Sequence, residues 1–342
     1  MMSLNSTSNK EMDMGKLVNG KWQTQVVGGG DDSGRFVRST TSFRNWITPD
    51  GAPGPSGEGG FAAEPGRYHL YVSYACPWAH RTLIFRKLKG LEDLVTVAVV
   101  HPDMLDDGWT FGTDHPGATG DTLYGHRFLR DIYIKADSEV SGSVTVPVLW
   151  DKKRETIVSN ESAEIIRMFN SAFDGLTGNT LDFWPEPMRD EIEAVNERVY
   201  DTLNNGVYRA GFARSQSAYD EAVTELFDTL DWLEDRLSRN RYLLGDRVTE
   251  ADWRLVVTLF RFDVVYHTHF KCNRNFIREM PALWAYAREL YQWPGVADTV
   301  NFDHIVRHYH YSHESVNPYR IIPINPQLDW SKPHGRDALK AA

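Results

Sequence analysis

The sequence predicts two domains, an α/β domain followed by an all-α domain. β-rich and helical segments begin to alternate at Tyr68, a later β-rich run contains Pro147, and the regular segments after about Pro187 have helical periodicity. A chain of 342 residues is long enough for two domains with separate cores. We expect an N-terminal extension over 1–65, an α/β domain over 66–175, an all-helical domain over 186–326 and a C-terminal tail over 327–342.

The N-terminal extension has the composition of loops, with glycine-rich stretches at 28–34 and 51–60. The first stretch lacks the Gly-Lys-Ser/Thr ending of a phosphate-binding loop and has no strand before it, so it does not predict nucleotide binding. Phe36, Phe43 and Trp46 indicate that the extension packs onto the body of the protein.

The first strand and helix of the α/β domain enclose a cysteine. The run Tyr68–Val72 predicts a buried strand, and Pro77 suits the first turn of a helix that continues to Lys89 with basic residues, Arg81 among them, on its outer face. Cys76 therefore lies at a helix start, where free N–H groups favour a thiolate and lower its pKa. The alternative is a small buried hydrophobic residue. The Cys-Pro pair at this junction favours a reactive thiol.

The residues at 94–100 predict a second strand, parallel to the first because a helix connects them. The stretch 101–143 is polar and irregular, and a loop of this length in a compact domain is usually functional. Trp109 and Phe111 stand between glycines in this loop. They could form a hydrophobic plug or a lid over a ligand.

A proline interrupts the next β-rich run, 144–151, so Pro147 requires an edge position, a bulge or a cis bond. The run at 155–158 is its hairpin partner. Ser159 or Asn160 then caps a helix whose first turn contains Glu161 and Ser162. The free N–H groups of that turn could also bind a ligand. The order of these strands and helices, with the cysteine at the first strand–helix turn, is the thioredoxin-like arrangement.

The second domain reads as helices throughout, at 191–200, 222–237, 253–262 and 281–291. Thr249 and Asp252 have the spacing of a helix start, which we interpret as structural. The proline-rich tail after Pro318 is expected to extend over the surface.

Composition excludes several classes of function. The net charge of −10 argues against a nucleic-acid partner. No apolar run is long enough for a bilayer span, the first residues do not resemble a secretory signal, and two cysteines suit a reducing cytosol, so we expect a cytoplasmic protein with no membrane partner. His304 and His308 have zinc-compatible spacing but lack the glutamate of a His-Glu-x-x-His motif, so no metal is expected.

The surroundings of Cys76 in the sequence indicate what resolves a disulfide formed there. Its motif is Cys-Pro-Trp-Ala, not Cys-x-x-Cys, and the other cysteine, Cys272, lies far downstream in a stretch that reads as helical. A thiol from solution is therefore the simplest resolving group, which points to glutathione or a similar small thiol.

Several motifs together resemble glutathione transferases, and within them the glutathionyl-hydroquinone reductases of the xi class, which are related to the omega class. The resemblance covers about 46–326. Its motifs are Tyr-Ala-Cys-Pro-Trp-Ala-His-Arg at 74–81, Gly-Trp at 108–109, Val-Thr-Val-Pro-Val-Leu-Trp-Asp at 144–151, Ser-Asn-Glu-Ser at 159–162, Asn-Gly-Val-Tyr-Arg-Ala-Gly-Phe-Ala at 205–213 and Asn-Pro at 317–318.

The resemblance implies roles for individual residues. Cys76 would be the nucleophile, Tyr208 the proton donor, and Tyr266 and Tyr309 would complete an aromatic pocket for a quinol ring. The glutathione-binding residues would be Trp109, Ser143, Val144, Thr145, Val146, Glu161 and Ser162. Ser143 stands where the family pattern leads us to expect an arginine.

The resemblance also implies the activity. Glutathione would be the co-substrate in the reduction of glutathionyl-hydroquinones through a mixed disulfide at Cys76, and the protein would be a homodimer. Two alternatives stay open at this stage: a glutaredoxin-like thiol transferase or dehydroascorbate reductase, and a non-catalytic binding module of transferase fold.

Overall fold

The structure, a computed structural model, describes residues 15–24, 30–38 and 40–339. The rest of the predicted extension, including part of its first glycine-rich stretch, lies outside these ranges. No helix within them is long and apolar enough to cross a bilayer.

A four-stranded sheet forms the centre of the first domain. Its strands are β3 (Tyr68–Val72), β4 (Val95–Val99), β6 (Val148–Asp151) and β7 (Thr156–Ser159). They lie in the order β4-β3-β6-β7, with β3 parallel to β4 and antiparallel to β6. The helices of this domain are α1 (Pro77–Leu88), α2 (Leu129–Ala136), α3 (Ser162–Ser171) and the short α4 (Asp174–Thr177). The predicted thioredoxin-like α/β domain is confirmed, and the Val146–Pro147 peptide is cis.

The second domain is all-helical, as predicted. Its helices are α5 (Arg189–Val199), α6 (Gly206–Gly211), α7 (Gln216–Arg239), α8 (Glu250–Arg261), α9 (Pro281–Tyr291) and α10 (Phe302–Ser312). Single π-helical turns, Tyr200–Asn204 and Phe262–Tyr266, follow α5 and α8, and three 3₁₀ turns lie at Glu186–Met188, Ile277–Glu279 and Ala297–Thr299.

Two details of the first domain differ from the expectation. The stretch 101–143 is not wholly irregular, because α2 lies within it and buries Leu129, Ile132 and Tyr133 on one face. The helix after β7 is capped by Glu161, whose carboxylate accepts a hydrogen bond from the Ala163 N–H at 3.0 Å, and not by Ser159 or Asn160.

The predicted solvent-facing side of α1 is wrong at both Arg81 and Lys89, which are buried. The Arg81 guanidinium donates to the Asn204 side chain at 2.8 Å and to the Arg254 carbonyl at 3.1 Å. The Lys89 ammonium lies 3.0 Å from the Asp174 carboxylate. Their polar partners offset the cost of burying these charges. Periodicity alone cannot show that a basic side chain faces solvent, because it does not reveal a hydrogen-bond or ion-pair partner that is distant in the sequence.

The described part of the extension is folded onto both domains. Strands β1 (Lys16–Val18) and β2 (Lys21–Gln23) form a hairpin, and β1 pairs with the two-residue strand β5 (Gly142–Ser143) in a second, three-stranded sheet. The Asn45 N–H donates to the Val158 carbonyl of the α/β domain at 2.9 Å. Arg35 forms an ion pair with Glu221 of the helical domain.

Two expectations about the C-terminal half need correction. Cys272 does not lie in a helix but in a loop after the second π turn, where it is fully buried. The tail has no helix or strand over 318–339, as expected, but it is anchored instead of only following the surface, because Trp330 and Arg336 are buried. The Arg336 guanidinium donates to the carbonyls of Leu237, Asn240 and Arg241.

Candidate active site

A cavity of about 510 Å³ opens beside Cys76. Cys76 is the N-cap of α1, and its Sγ lies 3.5 Å from the carbonyl oxygen of Val146, the residue before the cis proline. Both domains and the extension contribute to the wall of the cavity. Its lining includes Phe36 and Arg38 of the extension, Trp109, the run Ser143–Val146, and Tyr208, Phe212, His308 and Tyr309 of the helical domain.

The electrostatic surroundings of Cys76 differ from the sequence expectation. Burial raises the pKa of the Cys76 thiol, and this effect outweighs the N–H groups of Ala79 and Trp78 and the guanidinium groups of Arg261 and Arg38, which act to lower it. The predicted lowering by the helix start is therefore present as a contribution but is not the dominant effect. The loss of hydration around a thiolate at this position is larger than its stabilisation by the helix.

The raised pKa of the Cys76 thiol predicts the pH dependence of its alkylation. Because only the thiolate reacts with iodoacetamide, we expect the reaction midpoint of Cys76 to lie at higher pH than that of a free cysteine peptide in the same buffer. The measurement uses a Cys272→Ala variant, so that one thiol remains. A midpoint below that of the peptide would show that the helix start dominates after all.

A buried arginine of the helical domain holds the turn that carries Cys76. The Arg261 side chain donates to the carbonyl oxygens of Ala75 at 2.8 Å and Tyr74 at 3.0 Å, and its Nη1 lies 3.0 Å from His80 Nδ1. The other ring nitrogen of His80, Nε2, is 2.9 Å from the Thr299 hydroxyl. Burial holds the pKa of His80 well below its usual range, so its ring is neutral and can accept the Arg261 hydrogen bond.

Three tyrosines form a hydrogen-bonded cluster next to the thiol. The Tyr309 hydroxyl lies 2.5 Å from the Tyr208 hydroxyl and 3.1 Å from the Tyr266 hydroxyl. Burial raises the pKa of Tyr208, and the nearby Cys76 raises it further, so its phenol stays protonated. A protonated, hydrogen-bonded phenol beside a thiol is suited to donate a proton.

Tyr266 is placed differently from the expectation. Tyr208 and Tyr309 line the cavity, whereas Tyr266 does not and lies fully buried in contact with Tyr309. It therefore supports the cluster and is not part of the cavity wall. Tyr266 is the last residue of one π turn, and the other π turn ends four residues before Tyr208. Such turns frequently occur at functional sites.

The predicted glutathione-binding residues fall into two groups. Trp109 and the run Ser143–Val146 line the cavity, and the Trp109 ring stacks on His308 with a centroid distance of 4.8 Å. Glu161 and Ser162 stand at the start of α3 and do not line it. Their predicted contacts to glutathione stay predictions.

Sequence reasoning missed the contribution of the extension to the cavity. Trp22, Phe36 and Arg38 all line it, although they precede the α/β domain in the chain. The aromatic residues of the extension were the available signal, since they predicted packing onto the body. Which surface they would cover was not readable from the sequence.

The chain is similar to proteins of one family along most of its length. The family models described as "Glutathione S-transferase, N-terminal domain" and "Glutathione S-transferase, C-terminal domain" match residues 75–172 and 216–289. Glutathionyl-hydroquinone reductase YqjG of Escherichia coli is 58% identical over 95% of this chain and 99% of the relative. Glutathionyl-hydroquinone reductase PcpF of Sphingobium chlorophenolicum is 47% identical over 92% of this chain and 96% of the relative.

Solved structures agree with this similarity. The glutathione-bound structure of E. coli YqjG superimposes with a TM-score of 0.89 at 56% identity and covers 95% of this chain and 99% of that one. A xi class glutathione transferase from Natrialba magadii superimposes with a TM-score of 0.88 at 48% identity, over 96% of this chain and 98% of that one.

Proposed function

Because this chain belongs to the glutathione transferase family, in its class of glutathionyl-hydroquinone reductases, we propose that it reduces glutathionyl-hydroquinones to hydroquinones with glutathione as the reductant. The observation that carries the proposal is a single thiol, Cys76, that faces a cavity lined by the tyrosine pair Tyr208 and Tyr309. One thiol with an adjacent proton donor is what this reaction requires.

The first half-reaction breaks a carbon–sulfur bond. The hydroquinone ring first tautomerises, so that the carbon that bears glutathione gains a proton and one ring oxygen becomes a ketone. The Cys76 thiolate attacks the glutathione sulfur and a disulfide forms. The electron pair of the carbon–sulfur bond moves into the ring and onto that oxygen, which restores the aromatic ring as a hydroquinone anion. Tyr208, whose hydroxyl is hydrogen-bonded to that of Tyr309, would exchange a proton with this ring oxygen.

The second half-reaction restores the thiol. A second glutathione thiolate attacks the mixed disulfide at its glutathione sulfur, which releases oxidised glutathione and returns the Cys76 thiolate. Among the described residues the other cysteine, Cys272, is fully buried and does not line the cavity, so it is unsuited to resolve the disulfide. Over the whole cycle two sulfurs are oxidised and the ring carbon is reduced by two electrons.

The proposal includes a binding site for the tripeptide glutathione. The backbone of Val146 would bind the cysteinyl unit of glutathione, since its carbonyl already lies 3.5 Å from the thiol. Trp109 would pack on the tripeptide. Glu161 and Ser162 would hold its γ-glutamyl end, with the helix start facing the carboxylate. A homodimer and a cytoplasmic location complete the proposal and rest on the family resemblance and on composition.

The test compares two substrate classes. We expect steady-state turnover of glutathionyl-menadiol with glutathione to exceed turnover of a small mixed disulfide, such as that of glutathione and hydroxyethanethiol, because the aromatic wall of Tyr208, Tyr309 and Phe212 suits a ring. The opposite preference, with dehydroascorbate also reduced, would identify the protein as a thiol transferase. A chain that turns over neither class and gains no glutathione on Cys76 would be a binding module.

A further inference from the structure

Arg38 brings a positive charge from the N-terminal extension to the catalytic cavity. Its guanidinium carbon lies 4.8 Å from the centroid of the Trp78 ring and 5.1 Å from that of the Tyr208 ring. Its Nε donates to the Asn205 side chain at 2.9 Å. This bond uses one of the five N–H groups of the guanidinium. Within the part of the chain that the structure describes, no carboxylate forms an ion pair with Arg38.

Of the other basic groups on the cavity wall, one forms an ion pair and two are uncharged. Arg320 donates to the Tyr311 carbonyl at 2.9 Å and to the Glu314 carboxylate at 3.1 Å. Burial lowers the pKa of His308 to about 4 and holds that of His313 well below its usual range, so both rings are uncharged at neutral pH. Among the described lining residues, Arg38 is therefore the cation that forms no ion pair with a carboxylate, so its charge is not already neutralised by a neighbour.

The proposed reaction generates an anion at this place. When the carbon–sulfur bond breaks, its electron pair leaves negative charge on a ring oxygen, before a proton from Tyr208 neutralises it. A fixed cation that is present before the charge develops lowers the barrier without reorganisation. We propose that Arg38 stabilises this hydroquinone oxyanion while Tyr208 supplies its proton. The inference rests on the proposed function and gives a residue of the extension a role in the reaction.

The test uses two leaving groups of similar shape and different acidity. Chlorine and methyl substituents are similar in size, but trichlorohydroquinone is a stronger acid than trimethylhydroquinone, so its anion needs less stabilisation. Single-turnover release of hydroquinone from the two glutathionyl conjugates is measured for the wild-type enzyme and for Arg38→Gln. We expect the substitution to slow the trimethyl substrate about tenfold and the trichloro substrate less than about threefold, since Arg38 is exposed and water screens part of its charge.

Two further variants separate charge from structure. Arg38→Lys keeps a cation without the planar fork and should recover part of the loss on the trimethyl substrate. Arg35→Gln removes an arginine of the same extension whose partner is Glu221 and which does not line the cavity, and it should leave both rates unchanged. Thermal unfolding of each variant shows whether the extension stays folded.

The outcomes are distinct. An equal loss on both substrates, or no loss on either, overturns the oxyanion role of Arg38 while the proposed function stands. If the wild-type enzyme releases hydroquinone from neither conjugate, the proposed function is wrong and the role of Arg38 falls with it.

Discussion

Cys76→Ser is expected to abolish turnover of glutathionyl-hydroquinones while the protein stays folded. A serine hydroxyl cannot form the disulfide with glutathione on which both half-reactions depend. Cys76 occupies the N-cap of α1 without a side-chain capping bond, and serine is among the preferred N-cap residues. The free energy of unfolding should therefore be unchanged or rise by about 0.5–1 kcal/mol. Steady-state kinetics and denaturant unfolding measure the two effects.

The matched control replaces the other cysteine. Cys272→Ala removes a fully buried sulfur outside the cavity, so we expect a stability loss of about 1 kcal/mol with turnover preserved. After treatment with oxidised glutathione, mass spectrometry should find one glutathione adduct in the wild-type protein and in Cys272→Ala, and none in Cys76→Ser. Full activity of Cys76→Ser would refute the disulfide mechanism.

The second large effect is expected for Arg261→Met, which removes the buried guanidinium behind the catalytic turn. The carbonyl oxygen of Ala75 and His80 Nδ1 would lose their donor while they stay buried, and the half-buried Tyr74 would lose the donor to its carbonyl oxygen. Unsatisfied buried acceptors cost about 1–3 kcal/mol each, so the free energy of unfolding should fall by about 3 kcal/mol or more. Displacement of the sulfur should also lower kcat/KM about a hundredfold.

A readout at the thiol distinguishes this role from general destabilisation. Arg261 acts to lower the pKa of Cys76, so its removal should move the alkylation midpoint to still higher pH. Arg288→Met is the matched control, since Arg288 is also buried and donates to carbonyls, those of Lys332 and Pro333, away from the cavity. It should lose stability and keep both kcat/KM and the midpoint. If Arg261→Met does not fold, Arg261→Gln removes the charge with a polar side chain and tests the same point. Wild-type kinetics and midpoint in a folded Arg261 variant would contradict the role.

The elements with strong local signals were predictable from the sequence. The strand Tyr68–Val72 and the helix Pro281–Tyr291 have the predicted bounds, because a run rich in β-formers in the first and an N-terminal proline with helical periodicity in the second leave little ambiguity. The position of Cys76 at a strand–helix junction followed in the same way. The eight-residue helix α2 was missed because its single buried face is too short to stand out in a polar stretch.

The remaining errors concern effects that depend on distant parts of the chain. Arg81 is bonded to a residue 123 positions away, and no periodicity in α1 reveals that partner. The direction of the Cys76 pKa shift depends on burial by both domains, whereas the sequence shows only the helix start. Arg38 lies 167 positions before Asn205, its hydrogen-bond partner at the cavity. Local patterns thus located the nucleophile but not the charges around it.

The folded extension changes what counts as the smallest working unit of this protein. The two family matches begin at residue 75, so an expression fragment trimmed to them would lack Phe36 and Arg38. It would also lack Tyr309 and the Asn-Pro motif at 317–318, although it would keep Cys76 and Tyr208, and its sulfur would lie in an open groove. A comparison of substrate preferences that uses only the shared core of such chains therefore omits the residues of one side of the cavity.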